Sequence, residues 1–127
     1  MNQILAEKAD GELTTFVLDN ELDYVRHDAG FWYKAIVKTH KEKIKEKETI
    51  EIHYKVFLLN DTLYEDVKQT VTLGKKQTIK AIETMLLEMR HGEKVMLLSP
   101  WYLAYGQTGN KDLIKPYEQL KIELSVN

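Results

Sequence analysis

The chain has 127 residues, of which 43% are hydrophobic and 30% are charged, a composition typical of one folded globular domain. Its net charge of −2 argues against a nucleic-acid partner, because binding to phosphates draws on an excess of lysine and arginine. The chain contains no cysteine, which excludes disulfides, thiolate catalysis and cysteine-ligated zinc. No apolar run approaches the ~20 residues of a membrane-spanning helix, so we expect no transmembrane segment.

Residues 1–29 are predicted to form an acidic helical arm that lies outside the main domain. Gly11 interrupts the pattern, so we predict a short first helix and a second helix from Glu12 to Arg26. The apolar residues near one helical face are Leu13, Phe16, Val17 and Tyr24. This thin stripe predicts loose packing, and it leaves open a partly ordered arm or an arm that pairs two chains into a dimer.

From Gly30 onward, apolar and polar residues alternate with the period of two that indicates β-strands. Between the first two strands, residues 38–48 carry five lysines mixed with three glutamates. Such a mixture predicts a solvated loop rather than an anion-binding site. The predicted strands cover residues 31–37, 48–59, 62–65, 69–73, 94–98 and 119–126.

The strongest helical pattern in the chain runs from Thr78 to Met89. Gly92 follows it closely, as expected of a residue that ends a helix. The apolar residues that repeat every three or four positions are Ile79, Ile82, Met85, Leu86 and Met89. One such helix among strands indicates an α+β domain, in which a single helix covers an antiparallel sheet.

Residues 99–106, with the sequence Ser-Pro-Trp-Tyr-Leu-Ala-Tyr-Gly, place three aromatic residues just after a predicted strand. Loop aromatics at the end of a sheet often mark a binding site. The alternative is that Trp101 and Tyr102 only cover the end of the sheet. The four histidines are far apart in the sequence, so we expect no metal site built on them.

A set of short motifs follows one another in order between residues 48 and 126. They are Ile52-His-Tyr54, Asp61-Thr-Leu-Tyr-Glu65, Val71-Thr-Leu-Gly74, the helix from Ile79 to Met89, Gly92, Ser99-Pro100, Ala104-Tyr-Gly106, Leu113-Ile-Lys-Pro116 and Leu120-Lys-Ile-Glu-Leu124. In this order they resemble the FKBP family of peptidyl-prolyl cis-trans isomerases. The resemblance implies that residues 30–127 form a curved antiparallel sheet of five to six strands wrapped on one short amphipathic helix.

The segment just before this region carries a second, shorter resemblance. Gly30-Phe-Trp-Tyr33, preceded by an acidic helix, looks like the gliding-motility-associated FKBP-type lipoproteins of bacterial envelopes. This resemblance implies a location in the bacterial periplasm or cell envelope, with a lipid anchor upstream of the chain. A cytoplasmic location is the alternative.

The family resemblance implies a peptidyl-prolyl cis-trans isomerase that assists protein folding and needs no cofactor. Its partners would be proline-containing polypeptides, with macrolide-type ligands as further candidates. The Tyr105 hydroxyl would donate to the substrate carbonyl, the Ile79 amide would be a second donor, and Glu65 takes a position where the family usually has aspartate. The implied substrate-binding residues are Tyr54, Tyr64, Gln69, Ile82, Leu113, Ile114 and Ile122.

Besides Glu65, three pocket positions depart from the family pattern. The family usually has tryptophan at the position of Ile82 and aromatic residues at those of Gln69 and Ile122. A pocket with less aromatic surface predicts a weak isomerase, and it keeps open a non-catalytic protein-binding or chaperone module with a degenerate pocket. The retention of Tyr54 and Tyr105 favours catalysis. A small-molecule hydrolase is disfavoured, because no nucleophile–base spacing is present.

Overall fold

A computed structural model describes residues 3–106 and 114–127 of the chain. Two α-helices, six strands and one short 3₁₀ turn, Trp101–Leu103, make up this part of the protein. In chain order the helices and strands are α1 (Gln3–Asp19), β1 (Val25–Arg26), β2 (Trp32–Val37), β3 (Thr49–Leu58), β4 (Leu63–Thr72), α2 (Lys80–Leu86), β5 (Lys94–Ser99) and β6 (Leu120–Val126).

The six strands form one curved antiparallel sheet in the order β1-β2-β5-β6-β3-β4. β3 is an interior strand, paired with β4 from Thr49 to Phe57 and with β6 from Ile52 to Leu58. The inward residues of the sheet form the main core together with α2, whose Ile82 and Leu86 are fully buried. The predicted α+β class, with a curved sheet on one short helix, is confirmed.

α2 is shorter than the predicted helix over residues 78–89. It begins after Ile79, whose backbone is extended, and the Glu83 carboxylate accepts hydrogen bonds from the amides of Gln77 and Thr78 just before it. After Leu86, the amides of Glu88 and Met89 bond to carbonyls three residues back, which is 3₁₀ rather than α-helical geometry. The apolar pattern continues through this 3₁₀ end as far as Met89, which is why the predicted helix is longer than the observed one.

β4 is one ten-residue strand, whereas the sequence predicted two short strands over residues 62–65 and 69–73. The residues between them, Asp66, Val67 and Lys68, all have partners on β3. Asp66 and Lys68 lie on the exposed face of the sheet, where charged side chains cost little to place. Because these two residues are charged, the sequence pattern predicted a break in what is a continuous strand.

α1 is a single helix that continues through Gly11, so the predicted break there is wrong. The helix ends at Asp19 because Glu21 adopts a left-handed backbone conformation, with φ of 51°. The amide of Leu22 then bonds to the Val17 carbonyl at 3.0 Å, and that of Glu21 bonds to the Leu18 carbonyl at 3.2 Å. This is a Schellman motif, which normally uses glycine at the left-handed position.

The predicted second helix over residues 12–26 is therefore wrong beyond Asp19. Val25 and Arg26 instead form β1, which pairs with β2 and joins the sheet. The division of the chain into an arm, residues 1–29, and a domain, residues 30–127, stays a prediction. Within the described residues, no helix is long and apolar enough to cross a membrane.

α1 packs on the outer face of the sheet, opposite to α2. Leu13 and Val17 are buried against Leu98 of β5, and Trp32 of β2 lies at the edge of this second, smaller core. The contact contradicts the predicted loose packing. The sequence underestimated it because the buried positions Ala6 and Ala9 extend the helix contact without adding to an apolar stripe.

The loop over residues 38–48 is mostly exposed, as its charge predicts, with one exception. Ile44 is buried in the main core, and its amide bonds to the Met89 carbonyl at 3.0 Å. The loop is thus anchored beside the end of α2 by one buried apolar side chain and by backbone hydrogen bonds, which include that of the His91 amide to the Glu42 carbonyl at 3.0 Å.

Leu13→Ala is expected to lower the free energy of unfolding by about 2–5 kcal/mol, because the Leu13 side chain is fully buried between α1 and the sheet. Leu18→Ala is the matched control, since Leu18 lies on the same helix and is 68% exposed; we expect a change within about 0.5 kcal/mol. Urea unfolding followed by circular dichroism and tryptophan fluorescence measures both. Equal midpoints for the two variants would mean that α1 does not pack on the sheet in solution.

Candidate functional site

Three tyrosines meet at one end of the concave face of the sheet. Tyr54 lies on β3, Tyr64 on β4, and Tyr105 follows the 3₁₀ turn. The ring centroids of Tyr64 and Tyr105 are 6.2 Å apart in an edge-to-face arrangement, and all three side chains are half-buried against the main core. The rings form walls that contact the core on one side and reach solvent on the other.

A β-bulge on β4 brings two consecutive side chains to Tyr105. Val56 of β3 pairs with Glu65, and Phe57 pairs with Leu63, so Tyr64 is an extra residue in the register. In a regular strand, neighbouring side chains point to opposite faces. Because of the bulge, the Tyr64 ring and the Glu65 carboxylate both contact Tyr105.

The Tyr105 hydroxyl donates a hydrogen bond to Oε1 of Glu65. Burial raises the pKa of the Tyr105 hydroxyl far above its ordinary value, and the hydrogen bond and negative charge of Glu65 raise it further. Burial and the same carboxylate also raise the pKa of Tyr54. Both hydroxyls therefore remain neutral donors at physiological pH.

The floor beneath these rings is apolar. Ile82 of α2, Ile122 of β6 and Ile114 are all buried, and they belong to the same core cluster. Val56, which pairs with Ile122 as well as with Glu65, is a floor residue that was not among the predicted site residues. Its alternation with Tyr54 on the inner face of β3 was the available signal.

Ile79 stands at the entrance to α2. Its side chain is half-buried against the core, and its backbone is extended, with φ −64° and ψ 154°. None of the hydrogen bonds among the described residues uses its amide as a donor. An amide in this place is available to a carbonyl oxygen.

Two predicted residues are not part of this cluster as described. The Gln69 side-chain amide donates to the Gln77 carbonyl at 3.5 Å, and Gln69 lies further along β4 than Glu65, the residue that contacts Tyr105. Gln69 also borders a polar groove of about 520 Å³, which His53 and Lys68 line from the outer face of the sheet. Leu113 lies outside the described residues. The assignment of both to substrate binding stays a prediction.

Trp101 and Tyr102 turn away from Tyr105 and towards α1. Trp101 is buried, and its ring lies edge-on to Tyr117, with centroids 4.9 Å apart. The Tyr102 hydroxyl donates to Oδ1 of Asp10 at 2.7 Å. A Cβ added at Gly30, where φ is +113°, would lie 2.6 Å from this hydroxyl, so the ring needs glycine there. These two aromatics cover the end of the sheet.

The arrangement contains neutral hydrogen-bond donors above an apolar floor. Across residues 3–106 and 114–127, no three histidine, aspartate or glutamate side chains converge as metal ligands. Ile82 and Ile122 are 0% exposed, so an apolar group can reach this floor only if the half-buried tyrosine rings that pack on it move aside.

A model of the FKBP-type peptidyl-prolyl cis-trans isomerase family matches residues 40–127. The chain belongs to this family. The match covers the loop after β2 and every later element, so the family resemblance predicted from the motifs is confirmed. The shorter resemblance to gliding-motility-associated lipoproteins stays a prediction.

Individual relatives of this FKBP-type chain differ in how much of their length it spans. It is 35% identical over 91 residues to the FK506-binding protein of Neisseria meningitidis serogroup A, which is 68% of this chain and 83% of that protein. It is 27% identical over 108 residues to the macrophage infectivity potentiator of Trypanosoma cruzi, which is 82% of this chain but only 55% of that protein. The chain thus spans about half the length of the trypanosomal relative.

A solved structure shares the fold. The crystal structure of a peptidyl-prolyl cis-trans isomerase from Pseudomonas syringae pv. tomato superposes with a TM-score of 0.78 at 22% identity. The similarity covers 94% of this chain and 92% of that chain, so it includes much of α1.

Tyr102→Phe is expected to change stability in a pH-dependent way. Burial, followed by the hydrogen bond to Asp10, raises the pKa of Tyr102 to about 12 from 10.0. The contribution of the hydroxyl, about 1 kcal/mol, is therefore fully present below pH 10 and is lost as the pH rises through about 12. Urea unfolding of both proteins near pH 8 and above pH 11 measures this, because other titrations cancel in the difference. A difference that does not change with pH would contradict it.

Proposed function

We propose that this FKBP-type chain catalyses the cis–trans isomerisation of peptide bonds that precede proline in polypeptides. The observation that carries the proposal is the Tyr105 hydroxyl at the rim of an apolar floor formed by Ile82 and Ile122, with Tyr54 and Tyr64 as side walls. Membership of the family supports the same reaction class.

The reaction needs no covalent step. Rotation about the X–Pro bond is slow because twisting the amide breaks its resonance, with a barrier of ~18–20 kcal/mol. The twisted amide is less polar than the planar one, since it has lost the charge-separated resonance form. An apolar floor therefore favours the twisted form, and each ~1.36 kcal/mol of this preference accelerates the reaction tenfold.

Binding of substrate requires an exchange of hydrogen bonds at Tyr105. In the structure its hydroxyl donates a hydrogen bond to Glu65, so the substrate carbonyl has to replace the Glu65 carboxylate as the acceptor. The amide of Ile79 provides a second donor for the peptide backbone. The proline ring would lie on Ile82 and Ile122, which are 0% exposed in the structure, once the tyrosine rings that pack on them move aside.

The composition of the floor argues for modest activity. Ile82 offers a smaller contact surface than an aromatic ring, and the free energy of apolar contact scales with the area removed from water. We therefore propose a slow isomerase rather than an efficient one.

A non-catalytic protein-binding module is the second candidate. The hydrogen bond between Tyr105 and Glu65 favours it. A hydrogen bond to a carboxylate is stronger than one to a neutral carbonyl, so a substrate carbonyl would replace Glu65 as the acceptor less readily than it would bind to a free hydroxyl. In this case the same cluster would bind proline-containing segments without accelerating their isomerisation.

We further propose that the natural substrates are proline-containing polypeptides in the course of folding, and that macrolide-type ligands compete for the same floor. The resemblance of residues 30–33 to envelope lipoproteins supports a place in the bacterial envelope, with a chaperone role there. Fractionation of cells that express the full-length protein would test the location.

A proline tetrapeptide assay is expected to show acceleration above the uncatalysed rate, and addition of a chelator should not reduce it. Tyr105→Phe should lower kcat/KM about twofold to tenfold, because one hydrogen bond to a neutral acceptor is worth ~0.5–1.5 kcal/mol. Tyr24→Phe is the matched control, because it also removes a tyrosine hydroxyl, but at a residue that packs against the second, smaller core beside α1. We expect this variant to leave kcat/KM unchanged.

The two candidate functions give different results in this assay. If the wild-type protein binds the proline peptide, as measured by calorimetry, but shows no acceleration, the isomerase proposal is wrong and the binding module replaces it. If it neither binds nor accelerates, both proposals are wrong.

A further inference from the structure

The segment Trp101–Gly106, which carries Tyr105, is attached to α1 by hydrogen bonds that the proposed chemistry does not use. The indole nitrogen of Trp101 donates to the Leu5 carbonyl at 3.4 Å, and the Tyr102 hydroxyl donates to Asp10 at 2.7 Å. A helix on the outer face of the sheet thus contacts the segment that carries Tyr105, whose side chain lies against the main core on the inner face.

The most direct of these connections passes through Gln119, which is only 6% exposed. Its side-chain oxygen accepts from the Trp101 amide at 2.9 Å, and its side-chain nitrogen donates to Oε2 of Glu12 at 2.6 Å. A carboxylate can only accept, so Glu12 forces the Gln119 nitrogen towards α1 and the oxygen towards Trp101. The orientation of this buried amide is therefore set by a residue of α1.

Trp101 in turn determines where Tyr105 lies. The Trp101 carbonyl accepts from the Ala104 amide at 3.1 Å and from the Gly106 amide at 2.9 Å, the residues on either side of Tyr105. Holding the first residue of the turn therefore holds the backbone that carries the Tyr105 ring.

We propose that Glu12 and Gln119 are positioning residues of the site: the carboxylate on α1 orients Gln119, which holds Trp101 and through it Tyr105. This makes α1 a working part of the site rather than a detachable arm. The effect on isomerisation rests on the proposed function, whereas the effect on the backbone of the segment does not.

The test reverses the direction of the Glu12–Gln119 hydrogen bond. Gln119→Glu places two carboxylates against each other and should loosen the segment. The double variant Glu12→Gln with Gln119→Glu restores a donor facing an acceptor and still offers an oxygen to the Trp101 amide. Glu12→Ala changes a side chain at an exposed position and removes the carboxylate. Glu7→Gln is the matched control, because Glu7 is exposed on the same helix and bonds to Gln3.

Two readouts separate positioning from general stability. Hydrogen–deuterium exchange of the Ala104 and Gly106 amides is measured in the folded proteins, alongside kcat/KM for a proline peptide. We expect Gln119→Glu and Glu12→Ala to exchange faster at these amides and to lose about threefold to tenfold in kcat/KM. The double variant should return to within about twofold of wild type, and Glu7→Gln should not differ from it.

Unchanged exchange in both Gln119→Glu and Glu12→Ala would overturn the proposal, and so would a double variant that fails to recover. Faster exchange with unchanged kcat/KM would also overturn it, because the segment would then not position the site. A wild-type protein without isomerase activity would overturn the proposed function alone. In that case the same variants would be compared by hydrogen–deuterium exchange and by their affinity for the proline peptide, which test whether α1 positions the segment and the tyrosine cluster.

Discussion

The double pairing of β3 is the constraint on which both the core and the candidate site depend. β3 has β4 on one side and β6 on the other, so its register is fixed from two directions. A shift by one residue would turn Val56 outward and bring Glu51, His53 and Lys55 into the core, where burying polar and charged side chains without partners costs much free energy. The place of Tyr54 at the rim, and of Glu65 opposite Val56, follows from this register.

The parts of the fold that could be predicted are those whose sequence pattern directly reflects burial. β3 and β6 alternate because one face of each is in the core, whereas β5 buries both Leu97 and Leu98 because α1 covers its outer face. The inner residues of α2 repeat at helical spacing because they face the core. The wrong predictions concern Gly11, Glu21 and the charged middle of β4. At Gly11 and in β4 a tertiary contact overrides a local preference, because a docked helix tolerates glycine and strand pairing extends through Asp66 and Lys68. At Glu21 the hydrogen bonds are local, and the Schellman turn accepts glutamate where glycine is usual.

The candidate site could be predicted as a set of residues but not as a set of contacts. The resemblance supplied Tyr54, Tyr64, Glu65 and Tyr105, yet nothing local in the sequence indicates that Tyr105 bonds to a residue 40 positions away. The contact depends on a one-residue bulge at Tyr64, and bulges leave no pattern in a strand of mixed polarity. The same limit applies to Gln119, whose role is visible only once α1 lies beside the 3₁₀ turn.

The segment that carries Tyr105 is held from two sides, and the two attachments act on different atoms. Glu65, on the inner face, accepts from the Tyr105 hydroxyl, whereas Gln119 and the Trp101 carbonyl hold the backbone from the side of α1. A substrate that takes the hydroxyl from Glu65 therefore leaves the backbone attachments intact. In the proposed function, the exchange of acceptors at the Tyr105 hydroxyl therefore breaks no hydrogen bond of the Trp101–Gly106 backbone.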